Sequence, residues 1–171
     1  MNQAQSSPED FPQAFESAFT GLQASIEEAC ASEAGWSQKV AAAVHAGLRF
    51  AATDPAAAQA LTNEALAHGA DGIARHERLI AYIREGLAPG REQRPQNERL
   101  PEITEQAMAS GVVMLVAQRV DAGRAEELPA IAGEAVQFVL TPYLGAEEAR
   151  RVAVLSGGDG ESQETPASGG Q

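Results

Sequence analysis

Three histidines and one cysteine are the side chains with the most obvious capacity for chemistry: His45, His68, His76 and Cys30. A metal site needs at least two ligands at spacings such as HxxxH, HExxH or CxxC, and the chain contains none of these patterns. It also lacks a GxSxG nucleophile elbow, a glycine-rich phosphate loop and a thiol paired with histidine in a recognisable frame. The sequence therefore predicts no metal site, no cofactor and no catalytic residue.

Adjacent acidic pairs are the remaining candidates for acid/base chemistry. They occur at Glu27-Glu28, Glu126-Glu127 and Glu147-Glu148. Neighbouring residues on an α-helix diverge by about 100°, so the two carboxyl groups of such a pair cannot act on one substrate. These pairs are better interpreted as charge at helix ends. A small helical enzyme is thus the least favoured class, and a binding protein is favoured.

The charge balance argues against direct contact with nucleic acid. The chain has a formal net charge of -12, and its eleven arginines and single lysine, Lys39, are spread out rather than clustered. The electrostatic field of such a negatively charged protein repels the phosphate backbone of nucleic acid. Contacts with this backbone supply most of the non-specific affinity of proteins for DNA and RNA. No stretch reaches the roughly 20 apolar residues that span a bilayer, and the N-terminus lacks a signal-peptide pattern. We therefore expect a cytoplasmic protein without membrane contact.

Hydrophobic periodicity predicts an all-α bundle of six to seven helices in one domain, residues 10–155. Residues 1–9 are expected to be flexible, and residues 156–171 to form a disordered tail. Residues 89–99 lack apolar periodicity and predict a surface loop or a poorly ordered connection. The expected helices cover about 10–32, 36–53, 55–68, 71–87, 100–120, 127–141 and 146–155, the sixth stopping at Thr141-Pro142.

Aromatic residues at helical spacing have two possible roles. Phe11, Phe15 and Phe19 share one face of the first helix, and Trp36 and Phe50 belong to the second. The preferred interpretation is that they are core residues, and the second is that they form the walls of a binding pocket. His45, beside Val44 and Leu48, is either a satisfied core histidine or the single polar contact inside an apolar cavity.

Over roughly residues 11–155, several sequence segments, taken in order, resemble the C-terminal regulatory half of TetR-family transcriptional regulators. These segments are Gly35-Trp36 followed by AAAVHAGLRFAATDPAAAQAL, then EALAHGADGIARHERLIAYIREGL, then VMLVAQRVDAGRAEELPAIAGEAVQFVLTPYLGAEEA. In that family a helix-turn-helix domain precedes the regulatory half. This sequence lacks it, through a misassigned start, a truncation or a function of the domain alone.

The resemblance implies roles for two parts of the chain. The helices of 10–88 would enclose a cavity for an unknown small apolar or aromatic effector, and the helix pair of 100–141 would form a homodimer. The candidate ligand-binding residues are Phe15, Phe19, Trp36, His45, Phe50, Met108 and Met114. The candidate interface residues are Ile103, Ala107, Gly111, Leu115, Ile131, Ala135, Phe138 and Val139.

Two functions remain open at this stage. The first is an effector-binding and dimerisation domain of a TetR-like transcriptional regulator that carries no DNA-binding domain of its own. The second is a standalone interaction protein that forms heterodimers with full-length TetR-like regulators and withholds one of their two DNA-binding heads. Both functions use the same predicted helix pair, so the partner that this pair binds distinguishes them.

Overall fold

The computed structural model describes residues 10–94 and 99–157, and within these ranges it is all-α. Eight α-helices and two 3-10 helices occur there, without a strand, which confirms the predicted fold class. The predicted flexible residues 1–9 lie outside the described ranges, as do 158–171. The α-helices are α1 (Phe11–Cys30), α2 (Trp36–Thr53), α3 (Pro55–Leu61), α4 (Asn63–Ala67), α5 (Gly69–Leu87), α6 (Thr104–Asp121), α7 (Ala132–Leu144) and α8 (Ala146–Gly157). The 3-10 helices are Ala88–Gln93 and Ala125–Ile131.

One expected helix, 55–68, is divided in the structure into α3 and α4. Asp54 accepts a hydrogen bond from the backbone N–H of Ala57 at 2.9 Å, and Pro55 opens α3, so this start follows the usual capping chemistry. At Thr62 the backbone leaves the helical region, with φ -112° and ψ -95°. Asn63 then donates a side-chain hydrogen bond to the carbonyl of Ala117 in α6 at 3.3 Å. Tertiary contact thus accompanies a break that the sequence pattern does not signal.

The connection after α5 is more ordered than expected. Residues Ala88–Gln93 form a 3-10 helix instead of a loose loop, and residues 95–98 lie outside the described ranges. Arg91 donates hydrogen bonds to the carbonyls of Leu100 at 3.0 Å and Pro101 at 2.9 Å. Because a charged side chain, rather than an apolar stripe, holds this segment, hydrophobic periodicity could not predict it. Helix α6 accordingly begins at Thr104 and not at Leu100.

Two further helix boundaries differ from the prediction. The segment before α7 is a 3-10 helix up to Ile131, and α7 continues through Pro142 to Leu144. Proline in the last turn removes only one hydrogen bond, and the helix ends instead at Gly145, whose φ of 81° favours glycine. Helix α8 includes Ser156 and Gly157, which were expected to belong to the disordered tail.

The core has a densely packed aromatic end, which we call the aromatic cluster: Phe11, Phe15, Phe19, Leu79, Ile80 and Tyr82. The rings of Phe15 and Phe19 stack with centroids 5.9 Å apart, and Tyr82 meets Phe19 edge-on at 5.7 Å. Arg78 covers Phe19 at 4.4 Å and binds both carboxylate oxygens of Glu16 at 2.8 Å. This cluster joins α1 to α5. Among the described residues, no helix has both the length and the apolar character needed to cross a membrane.

Candidate functional site

A cavity of about 460 Å³ lies between α1, α2, α3, α5 and α6. This volume falls within the range of roughly 300–1,000 Å³ that is typical of small-molecule pockets. The walls are almost entirely aliphatic and aromatic. They include Leu22, Ile26, Val40, Val44, Leu48, Phe50, Leu61, Leu79, Ile83, Met108, Val112, Val113, Val116 and Val139.

Small residues on one face of α2 leave this space open. Ala43, Gly47 and Ala51 follow one another at intervals of four, and all three line the cavity. A Cβ atom at Gly47 would lie 3.9 Å from Cδ1 of Leu22 on α1, an ordinary contact distance. The cavity therefore exists because side chains that would fill it are absent from α2, and not because the helices are forced apart.

Polar groups gather at one end of the cavity, which we call the mouth: Cys30, Lys39, Glu85 and Gly86. Lys39 and Glu85 are exposed, and among the described residues they carry the only formal charges on the cavity wall. The Sγ–H of Cys30 donates to the carbonyl of Lys39 at 3.3 Å. Burial raises the pKa of the Cys30 thiol, and the nearby Lys39 opposes this shift. The mouth thus offers a ligand charged and polar partners, whereas the rest of the wall is almost entirely apolar.

Trp36 forms the wall beside the mouth, and three contacts hold its ring. Its Nε1–H donates to the carbonyl of Gly86 at 3.0 Å, and its ring meets Tyr143 edge-on with centroids 5.2 Å apart. Gly90 lies against the same ring, where a Cβ atom would come within 2.4 Å of it. Glycine is needed at residue 90 because this close approach leaves no room for a side chain.

A buried ion pair fastens the 3-10 helix of Gly90 to α6. Arg91 Nη2 lies 2.6 Å from Oε2 of Glu105, whose side chain is only 7% exposed. Burial alone would raise the pKa of Glu105, but the hydrogen bond and charge of Arg91 outweigh it and hold this pKa below its ordinary value. Burial, together with the Glu105 charge, raises the pKa of Tyr143 to about 12. The ion pair thus ties the 3-10 helix to the first turn of α6.

Thr62 is the one buried polar residue on the cavity wall among the described residues. Its hydroxyl donates to the carbonyl of Ala58 at 2.8 Å. The donor is therefore already used, and only the oxygen lone pairs remain for a ligand. The end of the cavity away from the mouth consequently offers a ligand almost nothing but apolar surface.

Three of the seven candidate ligand-binding residues, Trp36, Phe50 and Met108, line the cavity, and four lie elsewhere. Phe15 and Phe19 are buried in the aromatic cluster, at 0% and 3% exposure. His45 turns towards α8, where Nε2 lies 3.3 Å from the hydroxyl of Ser156, and burial lowers its pKa. Met114 is 61% exposed because it projects from the opposite side of α6. The proposed histidine contact inside the cavity therefore has no counterpart in the structure.

The candidate interface residues divide into exposed and covered groups. Ile103 is 71% exposed and Phe138 is 49% exposed, and together with Ala107, Gly111 and Met114 they form what we call the outer face. The ring of Phe138 lies over Gly111, 3.3 Å from where a Cβ atom would be. Leu115 and Ile131 are half-buried. Ala135 and Val139 pack into this chain's own core and offer no surface to a partner.

Sequence reasoning missed the residues that create the cavity and its mouth. The predicted lining consists mainly of large aromatic side chains, whereas the space depends on Ala43, Gly47 and Ala51. The repeat of small residues at i, i+4 and i+8 on one apolar helix face was the available signal. Cys30, Lys39 and Glu85 come from three different helices, so no local pattern could have grouped them.

Across 10–94 and 99–157, no group of three or more histidine, cysteine or acidic residues is arranged to hold a metal ion. Comparison with known proteins returned no matching family model, no similar curated protein and no similar solved structure. The proposals below therefore depend on the cavity, the outer face and the resemblance described above.

Proposed function

We propose that this chain is an effector-binding and dimerisation domain of a TetR-like transcriptional regulator. The observation that carries the binding half of this proposal is the apolar cavity of about 460 Å³ with a polar mouth. Interiors are otherwise close-packed with few voids larger than a water molecule, so an apolar space of this size is typical of a small-molecule site. The resemblance to the TetR regulatory half supplies the class of protein.

Helix α6 would connect effector binding to subunit association. Met108, Val112 and Val116 face the cavity on one side of this helix. Met114 is exposed on the other side, and Ile103, immediately before the helix, is exposed as well. A ligand that shifts α6 would change the surface offered to a second subunit, and the subunit would affect ligand affinity equally, since such coupling is reciprocal.

Fluorescence of Trp36 tests the binding half directly. It is the only tryptophan of the chain, and it lines the cavity. Titration with a panel of aliphatic and aromatic compounds should give saturable changes in its emission for at least one class. If no compound of either class changes the emission, the effector-binding proposal is wrong.

Sedimentation at increasing protein concentration tests the association half. We expect a species of twice the chain mass of 17.8 kDa. Phe138→Glu should convert it to a monomer, because it places a charge on the outer face. The matched control is Leu66→Glu, which places a charge at a large exposed residue outside the outer face. A wild-type chain that stays monomeric alone but associates with a full-length TetR-like protein would favour the heterodimer function instead.

A further inference from the structure

We infer that the cavity takes an amphiphile whose polar groups are all at one end, with that end at the mouth and the apolar remainder, chain or ring system, in the interior. This inference deepens the proposed function and rests on it. It narrows the expected apolar or aromatic effector by polarity and not by shape, and it assigns the polar contact to the mouth instead of His45. The location of the polar side chains and their exposure to water carry the argument.

Two hydrogen bonds bring three helix ends together at the mouth. The thiol of Cys30, the last residue of α1, donates to the carbonyl of Lys39 at 3.3 Å and so joins the end of α1 to the start of α2. The indole N–H of Trp36 donates to the carbonyl of Gly86 at 3.0 Å and joins the start of α2 to the end of α5, next to Glu85. Polar groups from three helices therefore meet at one end of the cavity.

The two ends of the cavity differ in their exposure to water. At the mouth, the side chains of Lys39 and Glu85 are exposed, and neither forms an ion pair with another described residue. At the other end, Ala51, Leu61 and Thr62 line the wall, and each is only 3% exposed. A polar group of a ligand keeps water and charged partners at the mouth, whereas it loses its water at the buried end.

Thr62 is the polar side chain that a ligand would meet at the buried end. Its hydroxyl already donates to the carbonyl of Ala58 at 2.8 Å, so it has no proton left for an acceptor of the ligand. Tyr82 is the other wall residue with a hydroxyl. Burial, together with the nearby Glu27 and Cys30, raises the pKa of Tyr82, so this hydroxyl lies on the side of the mouth. A hydrogen-bond acceptor at the buried end would consequently stay unpaired.

Positional isomers test the single polar end, because the two members of a pair contain the same atoms. Nitrile groups accept hydrogen bonds and donate none. In calorimetric titrations, pentylpropanedinitrile, with both nitriles at one end, should bind at least about tenfold more tightly than octanedinitrile, which would bury one nitrile beside Thr62. Naphthalene-2,3-dicarbonitrile should exceed naphthalene-2,6-dicarbonitrile in the same way if the site accepts rings.

The outcomes separate this inference from the effector-binding proposal. Equal affinities within a pair that binds would overturn the inference and leave the proposal standing. The same conclusion follows if neither pair binds although another compound changes the Trp36 emission. If no compound of any class changes that emission, the inference and the proposal are both overturned.

A substitution on α2 locates the apolar part of the ligand. Gly47→Leu should lower the affinity for the tighter isomer by at least about tenfold, since the new side chain takes space inside the cavity. Loss of a helical glycine favours the helix, so this variant should remain folded. The matched control is Arg49→Leu, which adds the same side chain at an exposed position of α2 outside the cavity wall and should leave the affinity unchanged. Equal affinities of Gly47→Leu and wild type would overturn the inference.

Charge and thiol protection locate the polar end. Lys39→Gln should weaken binding of the acid that matches the bound pair, octanoate or naphthalene-2-carboxylate, about twofold to fivefold, as for an exposed ion pair. Arg49→Gln removes the same charge from α2 outside the cavity and should have no effect. Cys30 is the only cysteine of the chain, and saturation with the tighter dinitrile should slow its alkylation by iodoacetamide. An unchanged acid affinity in Lys39→Gln, or an unchanged alkylation rate, would overturn the inference.

Discussion

The aromatic cluster and the cavity lie side by side between α1 and α5, yet they are packed in opposite ways. In the aromatic cluster, Phe15 and Phe19 are almost fully buried and their rings contact one another and Tyr82. In the cavity, the facing surface of α2 carries Gly47 and alanines, and about 460 Å³ stays open. Both regions are apolar, so the volume of the side chains, and not their hydrophobicity, decides where the bundle keeps an open cavity.

The largest effect should come from removing a ring of the aromatic cluster. Phe15→Ala is expected to lower the free energy of unfolding by about 3–5 kcal/mol, because it leaves a void in a closed region. Urea denaturation measures this loss. The folded fraction should still bind any compound that changes the Trp36 emission of the wild type, since Phe15 does not line the cavity. A loss below about 1 kcal/mol would contradict the contrast between a closed and an open region.

The ion pair at the mouth end should show the next largest effect. Glu105→Gln is expected to cost about 1–3 kcal/mol near neutral pH, because the buried side chain loses a charged hydrogen bond to Arg91. The folded state lowers the pKa of Glu105, so its contribution is present above the unfolded pKa and is lost as the pH falls below about 4. The free energies of unfolding of wild type and Glu105→Gln, measured as a function of pH, should therefore converge in acid. A constant difference would show that the charge is not involved.

Gly90 packs tightly against the ring of Trp36 beside the mouth, whereas the cavity interior is open. Gly90→Ala would place a Cβ atom 2.4 Å from Trp36 and 2.7 Å from Tyr143, so we expect a loss of about 1–3 kcal/mol and altered tryptophan emission. Gly86→Ala is the control for stability, since no atom lies within 4 Å of its added Cβ. Equal thermal midpoints for the two variants would contradict tight packing at the mouth.

The smallest effect should be a gain of stability inside the cavity wall. Gly47→Ala replaces a glycine in a helix interior, and its Cβ atom meets Leu22 only at 3.9 Å. We expect a gain of about 0.5–1 kcal/mol from the reduced entropy of the unfolded chain. Thermal unfolding measures it. A loss of stability would mean that this wall is already closed, which would remove the contrast with the aromatic cluster.

Most of the fold could be predicted from the sequence, whereas less than half of the candidate binding residues line the cavity. Periodic apolar residues predicted α1, α2, α5 and α6 because each helix buries one face or more. Met108 and Met114 were both predicted to bind the ligand, but they are six positions apart on α6 and lie on different sides of it. The pattern identifies an apolar helix without saying which side meets a cavity and which side meets solvent.

The sequence by itself determined the all-α architecture, the absence of recognisable catalytic motifs and the strongly acidic character, because these depend on composition and local spacing. The tertiary structure alone decided that Cys30, Lys39 and Glu85 meet at one mouth, that His45 turns towards α8, and that Arg91 reaches Glu105. Each of these contacts joins segments from different parts of the chain. Their geometry follows from how whole helices pack against each other, which no local pattern encodes.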